Sequence, residues 1–257
     1  MQALARLEGE WLGAGGFGSC FKVVDPLRGK LVVKTIYDSA LSVLLTEAIN
    51  LQQLQGPGVQ RLFGACVETC QLVTHYAGHT ADQYFQVCHP LADIASVFLQ
   101  VTLALQEIIR KGFTHNDIKG SNVCVATPGT GPVATVIDLG LARRLGTRGL
   151  YGGGLSVMRL PWVAPEIVRD KRPTSEASDA FSLAAMMQRV LGLARGCPYP
   201  PTQAALALWL HDALSPDPEE RPALEELVEM LEVLLEAVKS AHPPPAKGTS
   251  GQTRKRR

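Results

Sequence analysis

The most informative stretch of this 257-residue chain is His115-Asn116-Asp117-Ile118-Lys119-Gly120-Ser121-Asn122, together with Asp138-Leu139-Gly140 further along. A carboxylate such as Asp117 can accept the proton of a reacting hydroxyl, and an amine such as Lys119 can neutralise a phosphate. An amide and a second carboxylate, Asn122 and Asp138, can ligate a metal ion. Phosphoryl transfer from a nucleotide requires groups of these kinds.

A glycine cluster lies upstream, in Gly13-Ala14-Gly15-Gly16-Phe17-Gly18. Its GxGxxG spacing allows the backbone to approach phosphates closely. In dinucleotide-binding folds a helix follows such glycines, whereas here the apolar run over residues 20–24 predicts a strand. By itself the cluster would also fit an ordinary hairpin turn.

Lys34 stands in the middle of the apolar run over residues 31–36, which predicts a second strand. A lone buried ammonium group is costly, so an inward-facing Lys34 needs an anionic partner. Glu47 is the candidate, because it follows Leu44 on a predicted helix. Taken singly, Lys34 and Glu47 would be exposed charges, and the two aspartate motifs would be turns. Their combination in this order makes chance a poor explanation.

The hydrophobic pattern predicts an α+β fold that changes character near Gly78. Strands are predicted over 20–24, 31–36, 59–67, 71–76, 123–125 and 134–137, and helices over 41–51, 94–108, 178–193, 204–214 and 224–238. The small strand-rich part covers about 1–77 and the larger helical part 78–241. Residues 140–160, rich in glycine, are expected to be mobile, and the basic tail 242–257 to be disordered.

The composition narrows the class of protein. With 46% hydrophobic and 19% charged residues the chain is expected to be globular, and a net charge of +1 does not indicate nucleic acid. No apolar run approaches the length of a membrane span, and residues 1–10 lack the apolar core of a signal peptide. Six scattered cysteines predict neither a zinc site nor a disulfide framework. We expect a cytoplasmic protein, with a nuclear location as an alternative because of residues 254–257.

From about Leu7 to Val238 the chain resembles a eukaryotic protein kinase catalytic domain. Asp179 resembles the buried aspartate that supports the catalytic loop, and Arg221 resembles the arginine that pairs with the glutamate at Glu166. The other matching signatures are Gly13-x-Gly15-x-x-Gly18, Val32-Val33-Lys34, Glu47, His115-x-Asp117-x-Lys119-x-x-Asn122, Asp138-Leu139-Gly140 and Ala164-Pro165-Glu166. The resemblance implies a small antiparallel β-sheet lobe with one helix, followed by a larger, mainly helical lobe.

The resemblance also implies ATP and Mg²⁺ as cofactors and a protein as substrate, with no nucleic acid, no membrane and no identified regulatory partner. Asp117 would accept the hydroxyl proton, and Lys119 would steady the γ-phosphate. Lys34, held by Glu47, would contact the α and β phosphates, while Asn122 and Asp138 would ligate magnesium. The implied nucleotide-binding residues are Leu12, Gly13, Ala14, Gly15, Gly16, Phe17, Gly18, Cys20, Val32, Lys34, Thr74, His75, Ala77 and Cys124.

The acceptor residue is inferred from two features that disagree. Lys119, two residues after Asp117, resembles serine/threonine kinases, whereas Trp162 before Ala164-Pro165-Glu166 is reminiscent of tyrosine kinases. We expect serine/threonine transfer, because Lys119 acts directly on the phosphate. Tyrosine or dual specificity and a pseudokinase scaffold that binds without transfer remain the alternatives. A small-molecule kinase is disfavoured by Ala164-Pro165-Glu166.

Three residues depart from the family pattern, namely Asn116, Leu139 and Val32, which replaces an alanine and is expected to narrow the adenine pocket slightly. Asn116 replaces the arginine that usually meets a phosphate on the activation segment, so we expect activity that survives phosphatase treatment. The candidate phosphorylation sites in that segment are Thr147, Tyr151 and Ser156. Leu139 replaces a phenylalanine and is expected to pack beneath the helix that bears Glu47.

Overall fold

The computed structural model describes residues 9–15, 18–37, 41–151, 159–193 and 203–241. The first part is an antiparallel sheet of five strands: β1 (Glu10–Gly15), β2 (Gly18–Asp25), β3 (Gly29–Ile36), β4 (Leu62–Cys66) and β5 (Gln71–His75). The strands lie in the order β1-β2-β3-β5-β4. The predicted small antiparallel lobe is therefore confirmed.

The β2–β3 hairpin is set by Asp25. Its Oδ1 accepts hydrogen bonds of 2.9 Å from the backbone N–H groups of both Leu27 and Arg28, which closes the turn locally. Gly29 ends the turn at a φ of 79°, which is a left-handed conformation that favours glycine. A single long helix, α1 (Leu41–Gln53), follows this hairpin.

The second part is mainly helical, as predicted. Its helices are α2 (Ala81–Tyr84), α3 (Leu91–Arg110), α4 (Pro165–Val168), α5 (Glu176–Leu193), α6 (Gln203–Ala213) and α7 (Leu224–Ala241). Its short strands are β6 (His79–Thr80), β7 (Phe113–Thr114), β8 (Val123–Ala126), β9 (Val133–Val136) and β10 (Arg143–Arg144). They form one sheet in the order β6-β8-β9 and a two-stranded pair, β10-β7.

Helix α3 is the centre of this part, because its apolar stripe packs against α5, α7 and β9. Phe98 on α3 stacks on Phe85 with ring centroids 5.7 Å apart. By length and composition α3 would be able to cross a membrane, which the sequence-based prediction did not anticipate, but half of its apolar window is buried inside the protein. A core helix of a globular domain meets the same criteria.

Residues 76–78 connect the two parts. Gly78 has a φ of 106°, and a Cβ atom there would lie 2.2 Å from the carbonyl oxygen of Val125 on β8. Only glycine fits this close approach. Of residues 140–160, which were predicted to be mobile, 152–158 lie outside the described residues, as does the tail 242–257. The mobility of 140–160, the disorder of the tail and the division into 1–77, 78–241 and a tail stay predictions.

Candidate active site

A cavity of about 520 Å³ lies between the sheet and the helical part. Most of the nucleotide-binding and catalytic residues proposed from the sequence line it. They are Leu12, Gly13, Ala14, Gly15, Gly18, Cys20, Val32, Lys34, Glu47, Thr74, Ala77, Asp117, Lys119, Asn122, Cys124 and Asp138. Residues separated by more than a hundred positions in the chain therefore meet at one place.

His75, whose backbone groups were expected beside the nucleotide base, is not among the residues that line the cavity, and its role stays a prediction. Its ring lies 6.3 Å from the ring of Phe63 instead. Successive side chains of a strand point to opposite faces, so Thr74 and Tyr76 line the cavity while His75 points away. Two further predicted residues, Gly16 and Phe17, lie outside the described residues.

Two glycines on the facing ends of β1 and β2 lie where a side chain is poorly tolerated. Gly13 on β1 has a φ of 148°, a value that side chains rarely allow. At Gly18, the first residue of β2, a Cβ atom would lie 2.2 Å from the carbonyl oxygen of Thr35 on β3, so β2 approaches β3 closely there. Both glycines line the cavity, which their backbone therefore borders without a side chain.

Lys34 on β3 connects the sheet, α1 and the segment after β9. Its Nζ donates to Glu47 Oε2 at 2.7 Å and lies 3.3 Å from Asp138 Oδ1. The Glu47 side chain is only 2% exposed, because it belongs to the buried face of α1. The predicted pairing of Lys34 with Glu47 is therefore present in the structure.

The charges of this cluster depend on one another. Burial alone would lower the pKa of Lys34, because it disfavours the charged ammonium group. The carboxylates of Asp138 and Glu47 have a larger, opposite effect, so the pKa of Lys34 lies above its usual value. Burial and the nearby Asp138 carboxylate raise the pKa of Glu47 to about 7, against the attraction of Lys34. Burial alone would raise the pKa of Asp138, but Lys34 holds it below its usual value. Asp138 therefore remains ionised at neutral pH.

The segment after β9 turns sharply at Asp138, which has a φ of 61°. Its Oδ1 accepts from the N–H of Gly140 at 3.4 Å. The side-chain amide of Asn50 on α1 donates to the carbonyl oxygens of Leu139 and Ala142 at 2.8 and 3.0 Å. Leu139 is fully buried in the core cluster that includes residues of α1, as the sequence analysis expected.

Asp179 on α5 fixes the loop that carries Asp117. Its two carboxylate oxygens accept from the backbone N–H groups of His115 and Asn116 at 2.7 and 2.9 Å. The side chain is fully buried. Burial raises the pKa of Asp179, while the two backbone donors act in the opposite direction and favour the carboxylate. The supporting position that the resemblance implied for Asp179 agrees with these contacts.

Three donors hold the Asp117 carboxylate. Its Oδ2 accepts from Lys119 Nζ and from Asn122 Nδ2, each at 2.8 Å. Its Oδ1 accepts from the indole N–H of Trp162, also at 2.8 Å. Lys119 in turn lies 4.8 Å from the centroid of the Trp162 ring, a favourable cation–π distance. Trp162 is therefore part of the site, a contact that its position 45 residues away did not reveal.

Gln60 is a second site residue that the sequence analysis missed. It is 8% exposed and lies before β4. Its side-chain amide donates to Thr74 Oγ1 at 2.9 Å and accepts from the Asp138 N–H at 3.3 Å. Gln60 thus connects the back of the cavity to Asp138. Nothing in the local sequence marks it, because the two partners are 14 and 78 residues away.

Tyr151 attaches the segment after Asp138 to the loop that bears Asp117. Its hydroxyl donates to the carbonyl oxygen of Asn116 at 2.7 Å, and its backbone carbonyl oxygen accepts from Lys171 Nζ at 2.8 Å. Asn116 has a φ of 68°, which presents its carbonyl to Tyr151. Burial raises the pKa of the Tyr151 hydroxyl, so this group stays a protonated donor.

Glu166 on α4 and Arg221 form a buried ion pair. Two hydrogen bonds of 2.8 Å join the guanidinium group to the carboxylate, and the side chains are 0% and 3% exposed. Arg221 also donates to the carbonyl oxygens of Ala177 and Ser215, each at 2.9 Å. The pairing inferred from the sequence is present in the structure.

The polar groups of the cavity fit a magnesium-bound nucleotide. Asn122 uses its Nδ2 toward Asp117, which leaves its Oδ1 for a cation, and Asp138 uses Oδ1 toward Lys34, which leaves Oδ2. Within the described ranges no group of three or more His, Cys, Asp or Glu could hold a metal by itself. Mg²⁺ in phosphoryl-transfer sites typically takes one or two protein oxygens and completes its shell with phosphates and water.

Comparison with the sequences of known proteins shows the family to which this chain belongs. A model of the protein kinase domain family matches residues 7–203. Human dual specificity testis-specific protein kinase 2 is 27% identical over 190 residues, which cover 71% of this chain and 33% of that protein. Human tyrosine-protein kinase ZAP-70 is 30% identical over 199 residues, covering 70% of this chain and 31% of that protein. The chain thus spans about a third of the length of these relatives, and it belongs to the protein kinase domain family.

Proposed function

We propose that the chain is an ATP-dependent protein kinase, which transfers the γ-phosphate of ATP to serine or threonine hydroxyls of protein substrates with Mg²⁺. The observation that carries this proposal is the meeting of Lys34, Glu47, Asp117, Asn122 and Asp138 around one cavity. Their presence also disfavours the alternative of a pseudokinase scaffold, which would keep the fold without the transferring groups.

Each side chain has a task that its contacts support. Lys34, oriented by Glu47, would neutralise phosphate oxygens, and the metal held by Asn122 and Asp138 would neutralise charge that develops on the phosphates. Asp117 would take the proton of the acceptor hydroxyl while three donors keep its carboxylate in place. Lys119, within 2.8 Å of Asp117, would stabilise the transferred phosphoryl group.

Tyrosine or dual specificity is the second candidate for the acceptor. Two of the similar proteins are named as a dual-specificity kinase and a tyrosine kinase, and Trp162 contacts Asp117 directly. We favour serine and threonine because Lys119 lies against the same carboxylate. A lysine there acts on the phosphate itself, whereas Trp162 contacts only the side chains of Asp117 and Lys119.

Radiolabelled ATP and Mg²⁺ with two peptide pools, one containing Ser and Thr and one containing Tyr as the sole acceptor, test this proposal. We expect label in phosphoserine and phosphothreonine after acid hydrolysis. Label only in phosphotyrosine would replace the serine/threonine assignment by the second candidate. No label with either pool, combined with measurable nucleotide binding, would establish the pseudokinase alternative.

Tyr151 provides a further prediction about activation. Asn116 replaces the arginine that in this family usually binds a phosphate on the activation segment. Here the Tyr151 hydroxyl donates to the Asn116 carbonyl oxygen instead, so we expect the segment to be held in place without phosphorylation. Phosphatase treatment is expected to leave wild-type transfer unchanged. Tyr151→Phe is expected to lower kcat several-fold, because a buried carbonyl loses its donor at a cost of about 1–3 kcal/mol. Tyr37→Phe, at an exposed tyrosine, is the matched control. Loss of most activity on phosphatase treatment would refute this account.

A further inference from the structure

The segment after Asp138 has a local excess of positive charge. Between Leu139 and Ser175 there are seven basic residues and two acidic ones, although the whole chain has a net charge of only +1. The remainder of the chain is therefore net negative, even though its tail is also basic. This positive segment follows Asp138 in the chain and is attached to the loop that bears Asp117.

Besides Arg169, four of these arginines are exposed, namely Arg144, Arg148, Arg159 and Arg172. None of them forms an ion pair with the residues that the structure describes, and residues 152–158 contain no carboxylate. The two acidic residues of the segment are engaged elsewhere, Glu166 with Arg221 and Asp170 with Arg169. We call these four arginines the basic surface.

Backbone contacts bring three members of the basic surface together. The N–H of Thr174 donates to the Thr147 carbonyl at 2.9 Å, and the N–H of Gly146 donates to the Thr174 carbonyl at 2.8 Å. The hydroxyls of Thr147 and Thr174 both donate to the carbonyl oxygen of Arg144, at 2.6 and 3.3 Å. Arg148 follows Thr147 directly and Arg172 precedes Thr174 by two residues, so both flank this junction.

The fourth member is close in the chain to a residue that contacts Asp117. Arg159 precedes Trp162 by three residues, and the Trp162 indole is 2.8 Å from the Asp117 carboxylate. Tyr151 attaches the same segment to Asn116, the residue before Asp117. A peptide whose hydroxyl reaches Asp117 would therefore pass along the basic surface with the residues that flank its acceptor.

We propose that the basic surface recognises a carboxylate-rich segment next to the acceptor residue of a protein substrate. This inference rests on the proposed function and adds the substrate class. Exposed guanidinium groups pair with carboxylates in bidentate geometry, and a local positive surface raises the association rate of an acidic partner. Proteins that bind a polyanion such as nucleic acid typically have a strongly basic domain, whereas this chain has a net charge of only +1.

Two peptides of equal length test the inference. Both carry one serine. In the acidic peptide the serine is flanked by aspartate and glutamate, and in the neutral peptide these residues are replaced by asparagine and glutamine. With wild type, kcat/KM is expected to be about tenfold higher for the acidic peptide, and raising the salt concentration is expected to reduce this ratio. The R148Q/R159Q/R172Q variant is expected to bring the ratio close to one without lowering kcat for the neutral peptide.

A matched control removes the same number of positive charges elsewhere. R28Q/K30Q/K239Q changes two exposed residues of the β2–β3 turn and one near the end of α7, and it is expected to keep the wild-type ratio. A ratio that falls equally in both variants would mean that net charge alone is responsible, and would overturn the inference. Equal rates of wild type on the two peptides would overturn it as well, while leaving the proposed function intact.

Binding distinguishes failure of the inference from failure of the proposed function. If wild type transfers no phosphate to either peptide, the proposed function fails, and fluorescence anisotropy with the labelled acidic peptide still tests the surface. Tighter binding of the acidic peptide to wild type than to R148Q/R159Q/R172Q would support it. If that variant instead loses only the binding of a labelled oligonucleotide, the surface serves nucleic acid and the inference is wrong.

Discussion

Asp117→Asn is expected to lower kcat by about 10²–10⁴-fold, the range for loss of a positioned proton acceptor. Asparagine has nearly the same shape, but its amide does not accept the proton of an acceptor hydroxyl at neutral pH. It also presents only one oxygen, whereas the Asp117 carboxylate accepts from Lys119 and Asn122 on one side and from Trp162 on the other. Nucleotide binding is expected to persist, because Lys34 and Asp138 are untouched.

Initial rates at saturating ATP, together with a titration of a fluorescent nucleotide, check this prediction. Asp93→Asn in the first turn of α3 is the matched control and is expected to retain wild-type rates. Equal transfer by wild type and Asp117→Asn would show that Asp117 is not the proton acceptor. Loss of both transfer and nucleotide binding, with a lowered melting temperature, would show a structural defect in place of a chemical one.

Arg221→Met is expected to be the most destabilising of the changes considered, by about 3–5 kcal/mol, which is typical when one partner of a buried ion pair is removed. Glu166 would then be a buried carboxylate without its cation. The carbonyl oxygens of Ala177 and Ser215 would lose their guanidinium donors too. Methionine keeps much of the length of the arginine side chain, so the loss measures charge and hydrogen bonding more than volume.

Arg169→Met is the matched control for Arg221→Met. Arg169 pairs with Asp170, but the two side chains are 61% and 42% exposed, and exposed pairs contribute about 0–1 kcal/mol. Urea unfolding followed by circular dichroism gives both free energies of unfolding. A similar small loss for Arg221→Met and Arg169→Met would contradict the structural role of the buried pair.

Much of the site was predictable because its residues lie in motifs with a short, regular spacing. Asp117, Lys119 and Asn122 belong to one loop, and their convergence follows from the length of that loop. The pairing of Lys34 with Glu47 was predictable for another reason, since a lysine inside an apolar strand requires an anionic neighbour. Helical and strand periodicities likewise indicated the elements that carry these residues.

Other contacts were not predictable because no local pattern encodes them. The bonds from Gln60 to Asp138 and from Tyr151 to Asn116 join residues 78 and 35 positions apart. The first depends on how the two lobes pack, and the second on how the segment after Asp138 folds back onto the loop that bears Asp117. The prediction for His75 concerned its backbone groups, and strand alternation already places its side chain on the face opposite to Thr74. The direction of that side chain therefore leaves the prediction for the backbone groups as it was.

Gln60 has a consequence for the design of small-molecule inhibitors. A compound that extends past Thr74 into the back of the cavity meets the Gln60 amide, which is already bonded to Thr74 and Asp138. An apolar extension would break these bonds and leave polar groups unpaired, which lowers its affinity. A compound whose own amide takes over both bonds keeps them satisfied. Such a compound would select this protein over others that present only apolar side chains at the same depth.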